Sequence, residues 1–233
     1  RARRRGRREG PEVPGHRGER RHLGQHEPHH HRRKPDYSFS KISMDDYDIP
    51  MKVSDGRKAF AYYAFDVMSD AIVGVSYSRT KNNELFSDCL KDMFLFCKKN
   101  NFGTPLEVEV ENHLVRNFAD ELAELFPFVR WCNAGNSQEK YAERGINTKK
   151  YGSDKKFIVG TGRHYAKLEA NRTKRKKIFD EHNDHFKEKE YTFLEIIELD
   201  KQSVAHHNNS LHPNQKKFKG MTRLDVLKFH LSA

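Results

Sequence analysis

Cysteine is scarce in this chain: Cys89, Cys97 and Cys132 are the only three in 233 residues, and no CxxC spacing occurs. That excludes a disulfide framework or a zinc ribbon and points to a reducing compartment. Long apolar runs are missing too. None approaches the roughly 18 residues that span a bilayer, so no membrane partner is expected. Arg1 is followed by no secretory signal pattern. Residues 1–34 lack aromatics altogether and hold one Leu and one Val. Such a segment cannot offset its ordering entropy by burial, which makes 1–34 a disordered basic tail by expectation. It is either a basic arm for DNA phosphates or a stretch foreign to the native protein. The run His29-His30-His31 resembles a metal site only in composition.

Beyond the tail, excess charge is what the chain has little of. Residues 1–34 carry 12 Lys and Arg against 4 Glu, while the remainder carries 32 bases against 29 acids. The overall +11 therefore says little about the folded part. An RNA-binding module of the RNP type is disfavoured, since the core is nearly charge-balanced and no such aromatic motif occurs.

What is present begins at Pro35-Asp36. Residues 39–44 read as a strand ending in Asp45-Asp46, with Ser43 and Asp45 on one side and Ile42 and Met44 on the other. Ser54-Asp55-Gly56-Arg57 is a turn. Residues 59–67 and 71–78 form a hairpin around Met68-Ser69-Asp70. Residues 82–101 have helical spacing, with Phe86, Leu90, Met93, Phe94 and Cys97 on one face. Cys89 and Cys97 read as small core residues. Leu106, Val108 and Val110 then alternate with Glu107, Glu109 and Glu111. A helix over 115–125, a strand over 128–132 and a helix over 136–150 follow, the last capped by Asn136 or Ser137. The order predicts an α/β fold: a ribonuclease-H-like mixed five-stranded sheet flanked by helices, occupying 35–160. Residues 161–233 are a helical C-terminal part of that core, with a basic run at 172–177 and an amphipathic helix at 191–203.

Three acids have the order and element types of a carboxylate set for two-metal phosphoryl transfer, which needs carboxylates converging on ions ~3.5–4 Å apart. They are Asp45 on the first strand, Glu111 at the end of the fourth and Glu143 on the helix after the fifth. Hard cations such as Mg²⁺ prefer oxygen ligands of this kind. Each acid also has a plainer reading. Asp45 lies among Asp46 and Asp48, which reads equally as a solvated loop. Glu111 belongs to a three-glutamate face that fits an exposed sheet edge, and Glu143 fits a surface acid paired along its helix. Asp66, before the hairpin turn, suits turn capping. The loop 133–138 has the small polar composition of an active-site flap. Lys140, Arg144, Lys149 and Lys150 place positive charge beside it for DNA phosphates.

Several blocks carry a resemblance: Ile-Ser-Met-Asp-Asp (42–46), Tyr-Ala-Phe-Asp-Val-Met-Ser-Asp-Ala-Ile-Val-Gly (63–74), Glu-Val-Glu-Asn-His-Leu (109–114), Asn-Ser-Gln-Glu-Lys-Tyr-Ala-Glu-Arg (136–144) and Leu-His-Pro-Asn-Gln-Lys-Lys-Phe-Lys-Gly-Met-Thr (211–222). From about residue 36 the chain resembles the retroviral-integrase-like catalytic core of the DDE transposases, in particular the Mu-like transposases of bacterial mobile elements. The resemblance places the family's catalytic acids on Asp45, Glu111 and Glu143. At the middle position the family usually carries Asp, so Glu111 is one methylene longer. It implies an enzyme that uses two Mg²⁺ or Mn²⁺ ions to hydrolyse DNA at element ends and then join the freed 3′-hydroxyl to target DNA. It also implies double-stranded DNA as partner, a homo-multimer on DNA, and a bacterial cytoplasmic, nucleoid-associated location. The family's helix-turn-helix domains and small β-domain are not visible in this sequence. Two other readings stand beside it: a catalytically impaired DNA-binding remnant, and a nuclease of the same fold.

Overall fold

Alternation along Lys41-Ile-Ser-Met-Asp-Asp-Tyr-Asp-Ile49 decides how the layers assemble. In the computed structural model, which describes residues 34–51, 53–133, 140–157 and 191–231, these nine residues form the central strand β1 (Lys41–Ile49). Ile42 and Met44 are buried on one face, Tyr47 and Ile49 on the other, as a two-residue period requires. β2 (Ala59–Asp66) and β3 (Ile72–Ser78) extend the sheet antiparallel on one side. β4 (Glu107–Glu111) and β5 (Phe128–Cys132) extend it parallel on the other. The order β3-β2-β1-β4-β5, with helices on both faces, is the mixed ribonuclease-H-like α/β sheet expected.

β1 is longer than its residue pattern indicates. The strand does not stop at Asp45-Asp46 but stays paired to β2 as far as Ile49↔Ala59. Burial of Tyr47 and Ile49 favours this extension. Asp46 and Asp48, which alternate to the opposite side, meet Lys81 at 2.5 and 2.6 Å.

The Ile42/Met44 face is covered by α1 (Asn83–Asn100). The Asn82 side chain caps its start by accepting from the Leu85 amide, and Asn101 ends it at φ 56° in the left-handed region. Leu85, Phe86, Cys89, Met93 and Cys97 are buried; a fully buried Phe or Met contributes about 1.5–3 kcal/mol. Leu90 and Phe94 are partly buried against the same core. The helix sits so close to β3 that a Cβ on Gly74 would lie 2.8 Å from the Cys89 carbonyl oxygen. All three cysteines are buried, and none forms a disulfide. The helix expected over 115–125 is segmented into a turn at Asn112–Val115, a 3₁₀ turn at Arg116–Phe118 and α2 (Ala119–Leu125). Val115, Leu122 and Phe118 still reach the core from it.

The opposite face carries α3 (Tyr141–Lys149), which continues into a π-helical turn at Lys150–Asp154. The positions expected to cap this helix, 136 and 137, lie outside the described residues, as do the basic run at 172–177 and the tail up to 33. α4 (Phe193–Asn209) begins in a capping box of Thr192 and Glu195 and runs six residues beyond the expected end at 203. α5 (Arg223–Phe229) has a second such box, Thr222 with Asp225. The Asn208 side chain accepts from the Ile72 amide and donates to its carbonyl, both at 2.8 Å, so α4 satisfies backbone groups of β3. The Ser38 amide donates to the His230 carbonyl at 2.7 Å. The described residues from Lys34 on belong to one compact unit. Among the described residues no helix is long and apolar enough to cross a membrane.

Candidate active site

β1 and β4 run parallel with Lys41 beside Glu107, Ile42 beside Val108 and Ser43 beside Glu109. Two residues further along the same register, Asp45 and Glu111 share the face that Ser43 and Glu109 occupy. The parity that separates Asp45 from Met44 is therefore borne out in the strand. Asp45 is not in a solvated loop.

α3 is fixed over this face by its first turn. The Tyr141 amide donates to Glu109 Oε1 at 2.7 Å, and the Ala142 amide donates to Ser43 Oγ at 2.9 Å. Ser43 Oγ in turn donates to Glu109 Oε1 at 2.8 Å. Two amides that every helix start leaves open are thus satisfied by the sheet, and a carboxylate stands where the helix dipole favours one. Burial works against the Glu109 carboxylate, but Lys41 at 2.8 Å and the Tyr141 amide outweigh it and hold its pKa below the ordinary value. Glu109 is the anchor of the site. Among three alternating glutamates nothing in the sequence singles it out, except that Ser43 shares its face.

Lys140 is the residue that precedes the helix, and its ammonium turns inward. Nζ donates to Asp45 Oδ1 at 2.6 Å and also to Glu111 Oε2. The residue is only 8 % exposed. Burial pushes the Asp45 carboxyl up to about 6, against the opposing pull of Lys140. The Lys140 ammonium is lowered by burial and raised by the two carboxylates, with a net increase. As sequence reading has it, Lys140 belongs to the DNA-contacting bases; in the structure it is the internal counter-ion of the two acids. The signal that was available is its place just before the helix, one residue from the amides that dock on Ser43 and Glu109.

Glu143 lies one helical turn beyond Lys140, in the first turn of α3, and three-residue spacing puts the two on neighbouring surface. It is half-buried and lines an open groove of about 620 Å³ with Arg144, Asn147, Thr148, Tyr151 and Gly152. Among the described residues no three His, Cys, Asp or Glu side chains stand close enough to hold a metal ion. Asp45 and Glu111 are brought together; Glu143 is not drawn into the same point. Two carboxylate oxygens, one from Asp45 and one from Glu111, converge on a single positive charge, the Lys140 ammonium.

The four expected DNA contacts separate. Arg144 is exposed and Lys150 half-exposed. The Lys150 and Lys155 ammoniums lie 5.7 and 5.5 Å from the centre of the Tyr151 ring. Lys149, by contrast, is 1 % exposed, with Nζ 2.7 Å from Asp154 Oδ1 and 2.6 Å from Asp200 Oδ1. Tyr63 and Tyr77 complete the shell by donating to Asp200 at 2.8 Å each. A charge buried in that shell cannot reach a phosphate, so Lys149 leaves the set of DNA contacts. Asp66 is the turn cap expected: it accepts from the Phe39 amide, the Ser69 amide and the Ser69 hydroxyl. Except for Asn133, the loop 133–138 lies outside the described residues.

One further residue joins the site to the C-terminal part. Asp70, at φ 63° in the β2–β3 turn, accepts from the Tyr141 hydroxyl through its side chain, while its carbonyl lies 2.9 Å from His207 Nε2 on α4. Comparison of the chain with models of known protein families and with curated proteins finds no match to either.

Proposed function

We propose that this chain is the catalytic core of a DDE-type polynucleotidyl transferase, cutting and joining double-stranded DNA as transposases do. The observation that carries the reading is the convergence of Asp45 and Glu111, from adjacent parallel strands, on one buried cationic point beneath the start of α3. Asp45 and Glu111 are the residues that would hold Mg²⁺ or Mn²⁺, with Glu143 the third candidate from the helix above. Bound divalent ions supply activation of a water or 3′-hydroxyl and stabilisation of the leaving oxygen. Lys140 neutralises the two acids when no other cation does. Arg144 and Lys150 offer solvent-facing charge to backbone phosphates beside the groove. The reading brings with it a homo-multimer on DNA and a bacterial, nucleoid-associated setting.

The test is a nicking and strand-transfer assay on supercoiled plasmid with pre-cut oligonucleotide ends in Mn²⁺, run with Glu143→Gln alongside. Metal-dependent joining that Glu143→Gln abolishes is the expected result. Nicking without joining would make the chain a nuclease of this fold, and nicking that survives Glu143→Gln would remove Glu143 from the site. A second reading is favoured by the position of Lys140: a core whose acids are permanently neutralised and which only binds DNA. Mn²⁺ that neither binds to the chain nor displaces Lys140 would support it.

A further inference from the structure

The turn between α4 and α5 holds three lysines that the site described above does not use. Lys216, Lys217 and Lys219 fall within four residues, and all are exposed. Elsewhere in the described structure lysines beside the sheet are matched to acids: Lys41 to Glu107 and Glu109, Lys81 to Asp46 and Asp48, Lys58 to Asp48. Lys216, Lys217 and Lys219 have no acid within ion-pair distance among the described residues.

The turn that carries them is rigidly built. The buried Phe218 ring is held edge-on by His212 at 4.6 Å and by His230 at 5.0 Å. It packs with Met68 and Val226. Gln215 donates from its amide nitrogen to the His212 carbonyl at 2.6 Å and accepts from the Gly220 amide at 2.9 Å. The Asn214 side chain accepts from the Lys217 amide at 3.1 Å. Gly220 closes the turn at φ 75°, in the region glycine enters without strain. The Lys217 ammonium lies 5.1 Å from the centre of the Phe218 ring, and Lys216 and Lys219 are exposed beside it. A backbone ordered in advance removes part of the entropy cost of meeting a ligand.

We propose that Lys216, Lys217 and Lys219 form a cradle for the phosphate backbone of duplex DNA, built from residues other than the acids and the lining of the groove at Tyr151. Closely spaced charges with no base-reading side chain among them match a repeating phosphate polyanion, and they favour affinity and register over sequence choice. Metal and turnover at Asp45 and Glu111 are not required, so failure of the catalytic reading would leave this one standing.

The experiment uses the full chain in EDTA. Binding to a fluorescent duplex is measured across salt concentrations for wild type, for Lys216→Gln/Lys217→Gln/Lys219→Gln, and for Lys91→Gln/Lys98→Gln/Lys99→Gln on α1 as a charge-matched control. The loop variant should bind about tenfold more weakly or worse at 0.1 M salt, with its log–log salt slope reduced by roughly 2–3, the value for three phosphate contacts. The control should stay within about twofold of wild type, since it removes no phosphate contact. Acetylation of the wild type read by mass spectrometry should show Lys216, Lys217 and Lys219 protected by duplex while Lys98 and Lys99 are not. Equal losses in the two triple variants, an unchanged loop variant, or no duplex binding by wild type would overturn the proposal. So would tighter binding to phosphatidylserine vesicles than to duplex at equal phosphate.

Discussion

The Lys140 ammonium stands 2.6 Å from Asp45 Oδ1 and meets Glu111 from the neighbouring strand as well. The cation that two candidate metal ligands share is thus a side chain of the protein itself. Any divalent ion entering here has to displace it.

That competition is measurable. Lys140→Gln removes the competitor, and a charged hydrogen bond of about 1.5–3 kcal/mol corresponds to roughly tenfold or more in affinity. Mn²⁺ should bind the variant at least about tenfold more tightly than wild type, read as a shift of the thermal-unfolding midpoint across Mn²⁺ concentrations. Weaker binding by the variant would mean that Lys140 organises the site rather than occupying it.

Gly145 faces the Phe65 ring so closely that an added Cβ would lie 2.7 Å from Cδ1 and Cε1. Gly145→Ala gains about 1 kcal/mol of helix propensity, but overpacking of this kind costs about 1–3 kcal/mol. Phe65 is fully buried and has little room to yield. We expect a net loss of up to about 2 kcal/mol by urea unfolding. A stabilised variant would show that α3 can lift from the sheet, taking Lys140 and Glu143 with it.

Lys149 holds two buried carboxylates at once. Burial lowers its pKa, Asp200 and Asp154 raise it, and the acids prevail. Lys149→Met leaves both acids without their cation, a change that costs about 3–5 kcal/mol when one partner of a buried pair is removed. The variant should be strongly destabilised in urea. Below its unfolding transition its duplex DNA affinity should match wild type, because Lys149 has no path to a phosphate.

His207 gives the fold an acid-sensitive joint. Burial first, and Arg223 second, depress its imidazole from 6.5 to about 4. A depressed base contributes stability that is complete above the unfolded value, near pH 6.5, and is lost as pH falls toward 4, for a total of about 3 kcal/mol. Asp45 and Asp66, both pushed up to about 6 mainly by burial, act in the opposite sense and lose stability as pH rises from about 4 to 6. Comparison with His207→Gln cancels those two. Between pH 7.5 and 4.5 wild type should lose about 2.5 kcal/mol more than the variant; equal losses would move the acid sensitivity away from this residue.

Parity made much of this architecture legible. Ser43 and Asp45 against Ile42 and Met44 assigns both faces of β1, and the hairpin spacing of 59–67 and 71–78 and the helical spacing of 82–101 place β2, β3 and α1. Asp66 reads correctly as a cap because it stands just before the hairpin turn. What escaped is pairing at a distance. Glu107, Glu109 and Glu111 look alike until Ser43 and the start of α3 select the middle one as anchor. Lys140 and Lys149 look like surface bases on a helix read from 136 to 150. Only the third dimension shows that one ends against two strand acids and the other against Asp154 and Asp200, 51 residues further on.

The two-residue period of β1 also ranks possible lesions. Deleting any one residue between Lys41 and Asp45 would slide the following side chains to the opposite face. Asp45 would be turned toward that apolar core, and where the lost residue is Ile42, Met44 would also lose its place against α1 and Ser43 would no longer receive the Ala142 amide. A frame-preserving loss of three nucleotides in this stretch is therefore a harsher change than any single replacement of Asp45. In a library of deletion variants, 42–45 should stand out as a gap in folded chains and not merely in active ones.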